Sequence, residues 1–348
     1  MPPKASSGSS TSFGPLTKSI RRLYRLIGFS KTYNLWLWLV LGGGLFTFSA
    51  ARLPNVHFGN LCGSVREGGV DGVAPGECFY YLQPGRYQIG IVLHLACILP
   101  AGLLACLQFV PGLRRRAPRF HRISGYAIAV LSTLGSAGSA MIVRRSMGGT
   151  LDTQALLGVL TTAFLVSLYF GYVTGMRMQI DEHRTWMLRA WVYSGSILTL
   201  RIVLVFAVIS ISLTGGYYSA LPCGKINFIK KSENATLASY PECAAFFSGE
   251  KPELHAVVEA TVFNRDAVQM AAAINQSFGM SGWVALALHV VCLEFYLRYT
   301  SDEGERLRKM YYPRRVALGL EKPLKASTSD GLVNEKAIAN GDSTKKLE

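Results

Sequence analysis

Charge is scarce in this chain. Asp, Glu, Lys and Arg make up 16% of its 348 residues, and carboxylates are the minority, 21 against 36 basic groups. Residues 1–33 carry no acidic side chain. The motifs of soluble enzymes are missing too: no P-loop, no GxSxG elbow, no dinucleotide fingerprint between a strand and a helix, and no HExxH. Their absence excludes the common nucleotide-dependent, serine-hydrolase and zincin chemistries. No repeat of solenoid period occurs. Outside six apolar blocks, no stretch holds enough apolar residues to build a globular core of its own.

Those six blocks are what the chain has in quantity. They are Tyr33–Leu53, Gln88–Val110, Phe120–Val143, Thr153–Met176, Met187–Gly215 and Phe278–Tyr299. Each is about as long as the roughly 20 apolar residues that cross a bilayer. The fold class is therefore all-α: a polytopic membrane protein, a six-transmembrane-helix bundle over residues 33–299. A basic tail (1–32) precedes it and a polar tail (300–348), disordered from about 321, follows. The net charge of +15 lies mostly beside the spans. It sets orientation rather than recruiting nucleic acid, and the partner it implies is the lipid bilayer.

Four basic flanks fall on one side of such a bundle: Lys18 to Lys31, "LRRRAPRFHR", "RMQIDEHRTWMLR" and "LRKMYYPRR". By the positive-inside rule both termini are cytoplasmic. The opposite loops, 54–87 and 216–277, contain Cys62 and Cys78, and Cys223 and Cys243. Four cysteines permit three pairings, and the two short-range ones close each loop on itself. Asn234 opens a glycosylation sequon in the same outer loop. Outer cysteines and sequon together point to the secretory pathway: endoplasmic reticulum, vacuole or plasma membrane. A mitochondrial leader is the competing reading of the acid-free start. Within the third loop, "PELHAVVEATVFNRDAVQMAAAINQS" reads as a helix on the outer surface or an extension of span six.

Ionisable groups inside spans are costly in lipid and normally face the bundle interior. Depth counted at about 1.5 Å per residue puts them in two layers. His94 and Arg201 share an outer one. His121, His183, His289 and Glu294 share an inner one. Haem b is one guest for the inner layer, since a bis-histidine haem needs imidazoles from two helices at equal depth, and His121 and His183 meet that condition. Arg201 and His94 would then bind propionate, substrate or proton. A non-haem metal on His121, His183 and His289 with a carboxylate is a second reading, implying a membrane hydrolase or cyclase. A transporter or non-catalytic membrane partner is a third. For each histidine a plain inter-helix hydrogen bond or headgroup anchor remains open.

The ordered set His94…Gln108-Phe109, HRxxGY from His121 to Tyr126, HRxWMxR from His183 to Arg189, and Arg201 resembles a family of polytopic membrane proteins of bacteria and fungi. The resemblance covers roughly residues 88–205. More distantly, the paired span-mouth histidines are similar to haem bundles of the cytochrome b561 and ferric-reductase type. That likeness implies an oxidoreductase with His121 and His183 as haem ligands, served by an electron donor and a small apolar substrate. The chain departs from the two-haem pattern in lacking a second outer histidine pair.

Overall fold

The computed structural model describes residues 27–29, 31–63 and 73–323. Most of the 1–32 tail and the end from residue 324 lie outside the described residues. Six helices are long and apolar enough to span a membrane: Thr32–Val56, Arg86–Gln108, Pro118–Ile142, Leu151–Met176, Ile180–Thr214 and Ala267–Tyr299. They are called spans one to six here. Spans five and six overrun the apolar blocks that announced them. Hydropathy marks only the stretch that meets lipid, and these helices continue where protein covers them. After Thr300 the chain turns into a final helix, Ser301–Ala317, docked on span five through Arg308 and Asp181 at 2.9 Å.

Two sub-bundles result. Span two packs closely on span three and also receives span one. Span five packs on both four and six. The close approach of spans two and three follows from glycine. A Cβ on Gly138 would stand 2.6 Å from the His94 nitrogen and 2.7 Å from the Gly90 oxygen, and both of those atoms are backbone. Small residues replace the missing hydrophobic driving force between helices in lipid by letting backbones touch. Span one is held more lightly. Trp38 donates its indole N–H to the Cys106 carbonyl at 3.1 Å, and Ser49 is the buried residue of its Gly43–Arg52 segment.

Beyond the ends of spans five and six sits a disulfide-closed cap. Strand β1 (Tyr218–Pro222) pairs antiparallel with β2 (His255–Glu259), Leu221 opposite Ala256. The sequence reading of a helix from Pro252 is corrected here. "HAVVE" alternates, with Ala256 and Val258 buried and its odd positions exposed, which is a strand period. Helix begins only at Ala267, where Asp266 accepts from the Val268 N–H and caps it. The cap's core joins Val208, Leu221, Ile226, Val258 and Ala271–Ala273. Cys62–Cys78 and Cys223–Cys243 are bonded, each with 5.6 Å between Cα atoms.

A buried ion pair ties the cap to the loops. Lys225 Nζ meets Glu77 Oε1 at 3.1 Å, with both side chains 2% exposed. The second Glu77 oxygen accepts the Met147 N–H at 2.9 Å, and the Lys225 ammonium lies over the Tyr80 ring. One carboxylate therefore joins all three outer loops. Removing one member of such a pair leaves the other charge buried and unanswered, at a cost of about 3–5 kcal/mol. Glu77→Gln should therefore lower the melting temperature of the detergent-solubilised protein clearly, although the amide can still accept from Met147. The double replacement Glu77→Leu, Lys225→Met should recover most of that loss. An unchanged melting temperature in the single variant would show the pair to be solvated.

Candidate functional site

The end of the bundle where span one begins and span six ends has an electropositive mouth. Span two ends, a short helix Pro111–Arg116 follows, and Pro118 restarts the chain as span three. Proline is suited to a first helical turn because its missing N–H would have no partner there. One turn in stands His121. Span five begins after Met178, whose φ of 56° reverses the chain sharply from span four. The reversal brings His183 back against the helix the chain has just left.

His183 lies on a trough of glycine. A Cβ on Gly175 would come within 2.9 Å of its Nδ1, and a Cβ on Gly171 within 2.8 Å of Met187 Cε. His183 Nδ1 is 2.7 Å from the Gly171 carbonyl oxygen. A carbonyl only accepts, so Nδ1 carries the proton and Nε2 presents a lone pair. Nε2 has no hydrogen-bond partner among the described residues, and neither ring nitrogen of His121 has one. His121 lies within electrostatic reach of His183, and both lie within reach of Arg114.

Arg114, in the short helix before span three, is exposed at the rim. Burial lowers the pKa of its guanidinium. Tyr311 and Glu303 counter this, while Arg115 and Arg184 add to the lowering. An arginine so placed remains cationic. Arg184 is already engaged: it donates to the Tyr296 hydroxyl at 3.2 Å and to Thr300 Oγ1 at 3.1 Å, and Tyr296 donates to Asn34. This arginine locks spans one, five and six together. Deeper in, Arg189 grips Glu294 in a two-toothed contact of 2.9 and 3.1 Å and lies over Trp186, which stacks on Phe170.

The remaining sequence-derived residues go elsewhere. His289 is 7% exposed, with Nδ1 2.7 Å from the Val192 carbonyl and Nε2 2.7 Å from Thr199 Oγ1. Both its nitrogens are spent on span five, so it does not join His121 and His183. Glu294 is held by Arg189, and Asp181 by Arg308. Among the described residues no group of three or more His, Cys, Asp or Glu is gathered as a metal shell. The outer layer separates as well. His94 Nδ1 bonds the Gly135 carbonyl at 2.8 Å, whereas Arg201 faces span one with its guanidinium over Phe48. Equal depth does not place side chains on the same azimuth. Arg114 was missed as a site residue; the triple arginine before "FHR" was its signal, read only as an orientation flank.

A family model described as "Predicted membrane protein (DUF2306)" matches residues 91–221, from span two to β1, and so includes His94, His121, His183 and Arg201. The chain is also 24% identical over 318 residues to "Ava biosynthesis cluster protein G" of Aspergillus versicolor, an alignment covering 78% of this chain and 90% of that protein. No solved structure matches. The chain is thus an integral, multi-pass membrane protein with a two-histidine mouth.

Gly175→Ala should push the His183 ring off its trough and break the Nδ1–Gly171 bond. Overpacking of this kind costs about 1–3 kcal/mol. Nitrogen NMR of histidine-labelled protein should show one imidazole losing its Nδ1–H signature. An unaltered spectrum would mean that the ring is not seated as described.

Proposed function

We propose that this protein is a membrane oxidoreductase whose arginine-rich mouth would hold haem b, with His121 and His183 as the residues that would bind it. One observation carries the reading. Two imidazoles from different spans, His121 and His183, stand within electrostatic reach at one mouth, each with a nitrogen that takes no hydrogen bond among the described residues. The carbonyl that takes the His183 Nδ1 proton is the kind of partner that orients a ligating imidazole and directs its Nε2 outward. Non-haem sites draw three or four protein ligands, whereas a bis-histidine haem needs two. The donor set therefore fits haem better than zinc or non-haem iron.

Haem so held supplies one-electron transfer. The chain's own residues do the rest. His183 is fixed by Gly171 and Gly175, and Arg114 offers positive charge to a propionate. Arg184, tied to Tyr296 and Thr300, keeps spans one, five and six from parting at the mouth. The partners implied are an electron donor on the arginine-rich side, read as cytoplasmic, and a small apolar substrate reaching the site from lipid. The two disulfides and exposed Asn234 on the opposite face support a secretory-pathway membrane. The name of the Aspergillus relative speaks of a biosynthesis cluster, which favours chemistry on a small molecule over a purely structural part.

The test is an absorption spectrum of detergent-purified protein from haem-supplemented cells, oxidised and dithionite-reduced. A Soret band is expected in the native protein, and its loss in the His121→Ala, His183→Ala double variant. No band in the native protein, or one that persists in the double variant, would overturn the assignment.

A further inference from the structure

Arg201 is an exposed arginine within a membrane span, and its surroundings are unusual. Its guanidinium lies over the Phe48 ring at 5.7 Å. No carboxylate pairs with it and no hydrogen bond reaches it among the described residues. Another cation, Arg52, one turn on from Phe48 along span one, lies within electrostatic reach of it. Arginines in spans ordinarily pair with a carboxylate or with backbone carbonyls. Among the described residues Arg201 has neither, so its own charge calls for an anion.

Depth and surroundings say which anion. Arg201 lies seven residues (208 − 201) before Val208, the first span-five residue in the cap core, so it is roughly 10 Å beneath the cap. Arg52 ends the helix that closes span one on the same side. Both therefore stand near the outer headgroup level, slightly recessed. Around Arg201 the exposed side chains are apolar: Phe46 at 47%, Ile202 at 62%, Val205 at 57% and Phe206 at 70%. A hydrated free ion would have to pass these groups, whereas an anion with its own apolar chain would match them. The planar guanidinium fork suits phosphate oxygens, which it can grip with two hydrogen bonds.

We propose that Arg201 binds the phosphate of an anionic amphiphile lodged between spans one and five on the disulfide side of the membrane. This site is independent of the histidine mouth and does not need haem.

Native mass spectrometry of the full-length, detergent-purified chain provides the test, with phosphatidic acid, phosphatidylcholine and inorganic phosphate as probes. One phosphatidic acid per chain should be retained about tenfold or more tightly than phosphatidylcholine, as expected for charge-assisted hydrogen bonds. Arg201→Gln should abolish that preference and Arg201→Lys should keep much of it. Val205→Glu, which sets a carboxylate one turn from Arg201, should also abolish it, should Arg201→Gln not fold. Equal retention of both lipids by the native chain would overturn the proposal. So would a preference that survives Arg201→Gln or Val205→Glu. Displacement of phosphatidic acid by millimolar inorganic phosphate would identify a soluble-anion site and overturn the amphiphile.

Discussion

An imidazole in a membrane interior must place its N–H somewhere, because lipid accepts nothing. Three histidines in this bundle solve the problem in one way, with Nδ1 set against a backbone carbonyl of the neighbouring helix: His94 on Gly135, His183 on Gly171, His289 on Val192. These contacts tie spans two to three, four to five and five to six. Two of the three carbonyls belong to glycines, where the absent side chain leaves the backbone oxygen within reach. The close helix crossings and the polar ties are thus one feature. The small residue opens the gap and the histidine fills it with a hydrogen bond. Imidazole–carbonyl bonds of this kind contribute modestly one at a time, since an unfolded chain in lipid also finds partners. Their larger effect is to fix register and azimuth.

No such tie joins span three to span four or five. Those spans meet through apolar contact among Ile128, Phe164, Leu168 and Trp191. The molecule therefore has two histidine-tied groups, spans two and three and spans four to six, with a softer seam between them, and span one bridges both through Trp38 on Cys106 and Asn34 on Tyr296. His121 belongs to the first group and His183 to the second, so the mouth that carries both lies on that seam. Binding sites favour such boundaries, where two rigid units can present groups to one guest without either being distorted. The His121 ring, lacking the carbonyl tie that the other three possess, is the one free to respond to what arrives there.

Topology was legible because bilayer thickness acts on sequence directly. A span must be apolar over a set length whatever it packs against, so six blocks yield six helices. Contacts at long separation were not. Glu77 and Lys225 are 148 residues apart, and nothing local marks them as partners except that each stands within two residues of a disulfide cysteine. The strand at His255–Glu259 was legible in principle from its alternation, but an Ala-rich run downstream drew the boundary of helix too early. For the histidines, depth could be counted and direction could not. His289 shares a sequence layer with His121 and His183 yet spends both nitrogens on span five, because azimuth is decided by which glycines and carbonyls the neighbouring helix offers.

The same reasoning separates the two polar regions of the bundle. Arg201 and the histidine pair stand at opposite ends of span five. Between them run Ser196, Leu200 and Ala190, buried against spans four and six, and the His289–Thr199 bond. A charge or proton crossing from one region to the other would have to pass this tied stretch. The cap adds a second constraint at the Arg201 end. It packs its β-ribbon core against Val208 near the outer end of span five and is itself pinned by Glu77 and Lys225. Span one, by contrast, is lightly held and carries Phe48 and Arg52. Any adjustment around Arg201 therefore falls on span one rather than span five. The mouth adjusts across the seam between span groups and the arginine site across the span one–span five contact, so each can be occupied without repacking the other.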